Sequence, residues 1–295
     1  MTTDVHAARI GVIGLGAMGR PMAHHLLESH GSLQITGRTR REDDSLVASG
    51  AIWHGTARDL AAASDVILLM LPDLPEVEQV LAGPDGILAA GTELLLLIGS
   101  SSSPSGVREL AARLADETDG RVRVVDCPVS GGEDGARLGT LSIMLGGADE
   151  DVARAAAVLE ACGTPVHLGP LGAGQVAKAC NQMIVSATIL ALGEASVLAE
   201  RSGIDLRVLW DLLGGGYAGS NLLNSRREKL VTGDDSPSGV AKYMVKDLSF
   251  AADVAQATGT NGVLLPTLRA AFDEIVDSGL GDRDIAVARR FIADR

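Results

Sequence analysis

The 295-residue chain is long enough for two domains or for one large one. Its 46% hydrophobic content and 36 glycines exclude a disordered or fibrous protein, and 2% aromatics require a core of aliphatic side chains and close backbone packing. A net charge of −13 excludes general affinity for nucleic acid or an anionic membrane, although a local basic spot can still hold an anion.

Arg9-Ile10-Gly11-Val12-Ile13 reads as a buried strand, followed at once by Gly14-Leu15-Gly16-Ala17-Met18-Gly19 and a helix from Pro21 to Leu27. A G-x-G-x-x-G between a strand and a helix gives each glycine a mechanical task. Gly14 turns the chain, Gly16 lets backbone approach a pyrophosphate, and Gly19 lets helix and strand pack closely. The helix N-terminus then offers N–H groups to the phosphates. The motif therefore predicts a dinucleotide held by residues 14 to 19.

The second strand, Leu33 to Thr36, ends in Gly37-Arg38-Thr39-Arg40-Arg41. A site for NAD usually carries an acid at this point for the ribose 2′-hydroxyl. Arginines stand here instead, and a guanidinium matches a 2′-phosphate with paired hydrogen bonds. NADP(H) is the expected cofactor ahead of NAD(H), with Arg38, Thr39 and Arg40 as contacts; a solvated basic loop is the plainer alternative.

Val66 to Pro72 reads as a buried strand ending in a proline loop, and Leu94 to Ile98 as another that opens onto Gly99-Ser100-Ser101-Ser102-Ser103-Pro104 and a helix from Ser105 to about Asp116. Loops at the carboxyl ends of parallel strands bind ligands, which places Leu71, Pro72 and Ser101 on the cofactor side. Ser102 and Ser103 read equally well as a helix cap and linker. A strand from Val122 to Asp126 leads into Cys127-Pro128-Val129-Ser130-Gly131-Gly132, and Gly139 to Gly147 forms a further strand. Ser130, Gly131 and Gly132 expose a hydroxyl and successive N–H groups, either a small nest for a carboxylate or a plain turn.

After Gly169-Pro170 the regular alternation stops. Helices are expected over Gly172–Arg201, Leu206–Leu213, Ser220–Val231, Val240–Thr258, Leu264–Asp277 and Arg283–Ile292, with a glycine-rich loop from Gly214 to Gly219. The fold class that follows is an α/β Rossmann-type domain over residues 1–170, joined by a long interdomain helix to an all-α domain over residues 171–295. The expected site lies in the cleft between them.

Lys178 is the only charge between Gly172 and Gly193. A desolvated ammonium needs a partner or a lowered pKa, unless it snorkels to solvent. Asn181 and Gln182 fall on the same helical face, so a proton donor stands beside two amides that suit a polar oxygen on a small molecule. Lys246 and Asp247 again place charge in an apolar helix, as a second arm of the site or as a surface pair.

Cys127, Cys162 and Cys180 are widely spaced, as expected of reduced thiols in the cytoplasm rather than of a disulfide framework or a metal site. The N-terminus lacks a basic region followed by an apolar stretch, so no secretory signal is expected. The uncharged run between Lys178 and Glu194 is shorter than the roughly 20 residues that span a bilayer, so no membrane partner is expected.

These motifs together resemble the β-hydroxyacid dehydrogenase family, which includes 3-hydroxyisobutyrate dehydrogenase, tartronate semialdehyde reductase (2-hydroxy-3-oxopropionate reductase) and 6-phosphogluconate dehydrogenase. The resemblance runs from Gly11 to about Ile292. It rests on Gly14-Leu15-Gly16-Ala17-Met18-Gly19, Pro128-Val129-Ser130-Gly131-Gly132, Gly172-Ala173-Gly174 with Lys178 and Asn181-Gln182, and Lys246-Asp247-Leu248. It implies that Ser130, Gly131 and Gly132 hold a substrate carboxylate, that Lys178 is the catalytic acid/base, that the amide of Gln182 holds substrate, and that Lys246 closes the site near the nicotinamide. Ser101 stands where many members have threonine, Ile98 where many have an acid, and Gln182 where many have asparagine. Asn181-Gln182-Met183-Ile184-Val185 with the glycine-rich loop is most similar to the tartronate semialdehyde reductases. The activity implied is reversible hydride transfer on a short β-hydroxyacid or semialdehyde. An NADPH-dependent imine reductase, which usually has Asp or Tyr at the lysine position, and a nucleotide-binding protein without catalysis are the alternatives. The apolar helical surface adds the expectation of a homodimer or homotetramer.

Overall fold

The computed structural model describes residues 8–39 and 44–295, and the chain divides into two compact units, the first ending at Lys178 and the second running from Ala179 to Arg295. In the first, strands β1 (Ile10–Ile13), β2 (Gln34–Thr36), β3 (Ile52–Trp53), β4 (Val66–Leu69), β5 (Leu94–Ile98) and β6 (Val122–Asp126) alternate with helices α1 (Gly19–His30), α2 (Ser45–Ala48), α3 (Ala57–Ala62), α4 (Leu74–Leu81) and α5 (Pro104–Glu117). These strands are parallel in the order β3-β2-β1-β4-β5-β6. The order reverses at β1, so the loops after β1 and β4 stand at the switch point where such sheets bind ligands.

Strand β7 (Val129–Ser130), helix α6 (Gly132–Leu138), strand β8 (Leu141–Gly146), helix α7 (Asp149–Leu159) and strand β9 (Gly163–Gly169) complete the unit. β8 is antiparallel to β6 and β7 and parallel to β9. Every residue of β1, β4 and β5 is buried. That burial explains their continuous apolar runs, because helices cover both sides of the sheet. Met22, Ala23 and Leu26 of α1 pack in one cluster with Leu68 and Leu97, while Leu60 of α3 and Val107, Leu110 and Leu114 of α5 pack in another with Ile67 and Leu96.

β3, β7 and β9 have no counterpart in the sequence reading. β9 is an edge strand containing Pro165, with Val166 and Leu168 about half exposed. Proline is tolerated at such an edge, where its missing donor leaves no ladder bond unmade. Trp53, at the end of β3, is half-buried and lies beside Gly37, 3.6 Å from where a Cβ on that glycine would stand.

The remainder is helical, as expected. Helix α8 (Ala173–Arg201) begins in the first unit and continues into the second, where α9 (Leu206–Gly214), α10 (Asn221–Thr232), α11 (Lys242–Thr258), α12 (Leu265–Ile275) and α13 (Ala288–Ala293) follow. Ser220 caps α10 through the Leu223 N–H at 3.0 Å. By length and composition α8 is apolar enough to cross a membrane. Its residues Ala179, Ile189, Leu192 and Ala199 instead belong to the second unit's core, with Trp210, Leu248 and Phe272. Ile184, Ala191 and Leu198, spaced by sevens along α8, are exposed.

Candidate active site

The glycine turn is built as its spacing requires. Gly14 has φ +101°, a conformation that strains any side chain, and a Cβ there would collide with the Met70 carbonyl oxygen. Gly19 opens α1 so close to the Gly14 carbonyl oxygen that no Cβ fits between them. Gly16 differs: it is exposed, and nothing lies within 4 Å of the place a Cβ would take. The N-cap Met18 gives α1 no side-chain hydrogen bond, and the first turn carries no acidic residue. An open glycine before an uncapped helix fits the pyrophosphate of a dinucleotide. Leu15 and Met18 pack against the core beneath the turn, Ala17 is exposed, and Leu71 stands beside Gly14. Pro72 is exposed, and the next residue, Asp73, caps α4 in a capping box with Glu76.

Beyond β2, Arg38 and Thr39 are exposed, while Arg40 lies outside the described residues. Farther along, the buried Asp44 is engaged. Arg20 Nη1 and Nη2 donate to its two carboxylate oxygens at 2.8 and 3.0 Å, and it caps α2 by accepting from the Leu46 N–H at 3.0 Å. The Arg20 hydrogen bonds hold the Asp44 carboxyl below its usual range. Asp44 is thus committed to Arg20 and to the start of α2.

The serine segment after β5 is held by a residue that sequence reasoning did not single out. The buried Gln175, in the first turn of α8, accepts the Ser102 N–H at 3.0 Å and donates to the Ser100 carbonyl at 2.8 Å. Its own N–H donates to Asp126 Oδ2 at 2.7 Å, and Gly172 N–H donates to Oδ1 at 2.7 Å. Asp126 ends β6, is fully buried, and has its carboxyl pushed up to about 6 by desolvation against the lowering effect of these N–H groups. Ser103 caps α5 by accepting from the Gly106 N–H at 3.3 Å. The hydroxyls of Ser100 and Ser102 are buried without a hydrogen-bond partner among the described residues. Ser101, between them, is half-buried.

Ser130 ends β7 opposite Ser142 of β8, and Gly131 and Gly132 follow with φ of +135° and +63°. Both glycines are exposed, and no atom lies within 4 Å of a Cβ built on Gly132. Lys178 is half-buried, one helical turn beyond Gln175 on α8.

In the second unit, Gln182 is buried and its Nε2 donates to Asp247 Oδ2 at 2.6 Å, linking α8 to α11. The Gln182 Oε1 accepts from Asn181 Nδ2 at 2.9 Å, and Lys246 Nζ lies 3.4 Å from Asp247 Oδ1 and 5.0 Å from the Phe250 ring centroid. Asn181 and Gln182, the two amides read from sequence as facing a small molecule, are joined to each other and on to Asp247 and Lys246. Asp247 is the pivot of these contacts, and its signal in the sequence was a carboxylate in an apolar helix.

Comparison with known proteins extends along nearly the whole chain. Residues 9–172 match the profile of the NAD binding domain of 6-phosphogluconate dehydrogenase, and residues 172–292 that of the NAD-binding domain of NADP-dependent 3-hydroxyisobutyrate dehydrogenase. The 2-hydroxy-3-oxopropionate reductase of Escherichia coli is 37% identical over 254 residues, covering 86% of each chain. The NAD-dependent L-serine dehydrogenase of Pseudomonas aeruginosa is 33% identical over 293 residues, covering 96% of this chain and 97% of that one. The structure of Mycobacterium tuberculosis 3-hydroxyisobutyrate dehydrogenase with L-serine superposes with a TM-score of 0.82 at 29% identity, covering 97% of this chain and 99% of that one.

Proposed function

The chain belongs to the β-hydroxyacid dehydrogenase family and is an NAD(P)-dependent dehydrogenase, and from that premise we propose that it moves hydride reversibly between NADP(H) and a short β-hydroxyacid or its semialdehyde. The substrate we favour is of the 2-hydroxy-3-oxopropionate or 3-hydroxyisobutyrate type. The observation that carries this reading is the placement of Lys178 on α8, one turn beyond the Gln175 clamp on the serine segment after β5.

Gly14 to Gly19, Leu71, Pro72 and Ser101 would hold the dinucleotide, with Arg38, Thr39 and Arg40 on the 2′-phosphate. That preference is supported by arginine at the end of β2 and by the prior commitment of Asp44 to Arg20. When bound, the reduced cofactor supplies the hydride; the protein supplies position and electrostatics. Ser130 and the Gly131 and Gly132 N–H groups bind the substrate carboxylate. Protonated Lys178 donates its proton to the carbonyl oxygen as the neighbouring carbon takes hydride, so that a C–H and an O–H bond form together. In the oxidative direction neutral Lys178 takes the hydroxyl proton. Asn181 and Gln182 contact substrate in this reading, and Asp247 orients Lys246, which serves the cofactor.

The exposed stripe of Ile184, Ala191 and Leu198 supports assembly as a homodimer or homotetramer. The three unpaired thiols are in keeping with a cytoplasmic enzyme.

The test is NADPH oxidation and NADP reduction over a panel of short semialdehydes, β-hydroxyacids including L-serine, and cyclic imines, with NADH and NAD in parallel. Turnover of a semialdehyde or β-hydroxyacid is expected, and turnover of imines alone would overturn the reading. Lys178→Ala is expected to lose about a hundred- to ten-thousand-fold in kcat with NADPH affinity retained. Near-wild-type turnover in that variant would remove Lys178 from the chemistry. Arg38→Ala is expected to raise the KM for NADPH selectively, and an unchanged preference between the two cofactors would return the basic loop to solvent.

A further inference from the structure

Two residues without a role in the mechanism above connect its parts within the first unit. Gln175 is buried at 1% exposure, and both ends of its amide are committed to the serine segment. Its Oε1 takes the Ser102 N–H and its Nε2 the Ser100 carbonyl, so the amide grips the backbone on either side of Ser101 in the manner of a neighbouring strand. From the other direction, Asp126 holds the Gly172 and Gln175 N–H groups, fixing the first turn of α8 to the end of β6. The carboxylate sits so tightly that a Cβ on Gly146 or Gly174 would overlap it. Lys178 follows Gln175 by three residues on the same helix, so its amine projects from a turn whose orientation these contacts set.

We infer that Gln175, seated by Asp126, is a positioning residue that fixes the Ser101 backbone against the helical turn bearing Lys178. The inference rests on the dehydrogenase reading of Lys178 and Ser101 given above. A primary amide is the group required, since one end must accept and the other donate. Glutamate keeps the size and the acceptor but sets a carboxylate oxygen against the Ser100 carbonyl. Leucine keeps most of the volume and makes neither bond.

The test compares wild type with Gln175→Leu and Gln175→Glu by steady-state kinetics, thermal melting and amide hydrogen exchange. Displacing a reacting group by about an ångström costs about a hundredfold in rate, so kcat is expected to fall by about ten- to a hundredfold with KM within about threefold. The primary deuterium isotope effect on kcat, read with nicotinamide-deuterated NADPH, is expected to rise in the variants as hydride transfer becomes slower than product release. The Ser102 amide is expected to lose exchange protection in Gln175→Leu. A merely structural role would lower the melting temperature and leave kcat and the isotope effect of the folded protein unchanged; that result, or a kcat within twofold of wild type in whichever variant folds, overturns the inference. Wild type inactive on the whole panel with Ser102 still protected by Gln175 would overturn the substrate reading, and the positioning role of Gln175 in catalysis with it, while leaving the clamp itself standing.

Discussion

Gly16 and Gly19 occupy one turn of chain and are glycine for different reasons. Gly19 is required by the protein, because its Cβ would enter the Gly14 carbonyl oxygen, while the space beside Gly16 is open. Backbone cannot yield as a flexible side chain can, so Gly19→Ala is expected to destabilise the first unit by about 1–3 kcal/mol, a fall of several degrees in Tm. Gly16→Ala is expected to melt with wild type and to bind NADPH more weakly in calorimetric titration. Equal losses of stability in the two variants would contradict the assignment. These tasks were legible in sequence because Gly14 and Gly19 meet across one local turn with Gly16 between them, although the Met70 carbonyl that also excludes a side chain at Gly14 follows β4, far along the chain. Gln175 and Asp126 were not, since their partners lie 75 and 46 residues away in sequence, and Gln182 meets Asp247 across 65. A side chain gripping distant backbone leaves no period or spacing to read.

Helix α8 owes its starting point to Asp126, whose carboxylate accepts the first N–H groups of the helix from the end of another strand. Burial raises its carboxyl from 3.8 to about 6, so ionisation is harder in the folded chain than in the unfolded one. Stability from this group is therefore fully present below about pH 4 and is lost as pH rises through about 6, a change on the order of 3 kcal/mol at 1.36 kcal/mol per unit. The advantage of wild type over Asp126→Asn, measured by denaturant unfolding from pH 4 to 7, is expected to shrink across that interval; a growing advantage would contradict it. Among the elements, those with an intrinsic signature were readable. β1, β4 and β5 showed continuous apolar runs because they are buried on both sides, and α10 began at its Ser220 cap as expected. β9 was missed because an edge strand with proline and exposed apolar side chains looks like loop. Residues 283–292, read as one helix, instead form a short 3-10 turn at Ile285–Val287 before α13.

At the scale of the molecule, apolar residues sort into clusters on either side of the sheet in the first unit and a separate cluster in the second. The proposed dinucleotide contacts, Lys246 apart, all belong to the first. NADPH at about a hundred times its Kd is therefore expected to stabilise that unit by about 2.7 kcal/mol. Calorimetry is expected to show two transitions with NADPH moving the first unit's, and an equal shift of both would contradict separate contributions. The α/β-then-α order was legible because hydrophobic periodicity changes near Gly169-Pro170.

The scarcity of aromatics has a practical consequence, since the chain's two tryptophans fall one in each unit. Trp53 sits beside Gly37, next to the arginine proposed for the 2′-phosphate, and Trp210 is buried in the helical core. Reduced nicotinamide absorbs where indole emits, so Trp53 is placed to report cofactor capture by quenching and energy transfer. The emission of Trp210 shifts to longer wavelength when its core opens to water. Replacing either indole with phenylalanine would leave a single-colour probe of the other unit, and the natural protein already carries both optical labels without dye or graft.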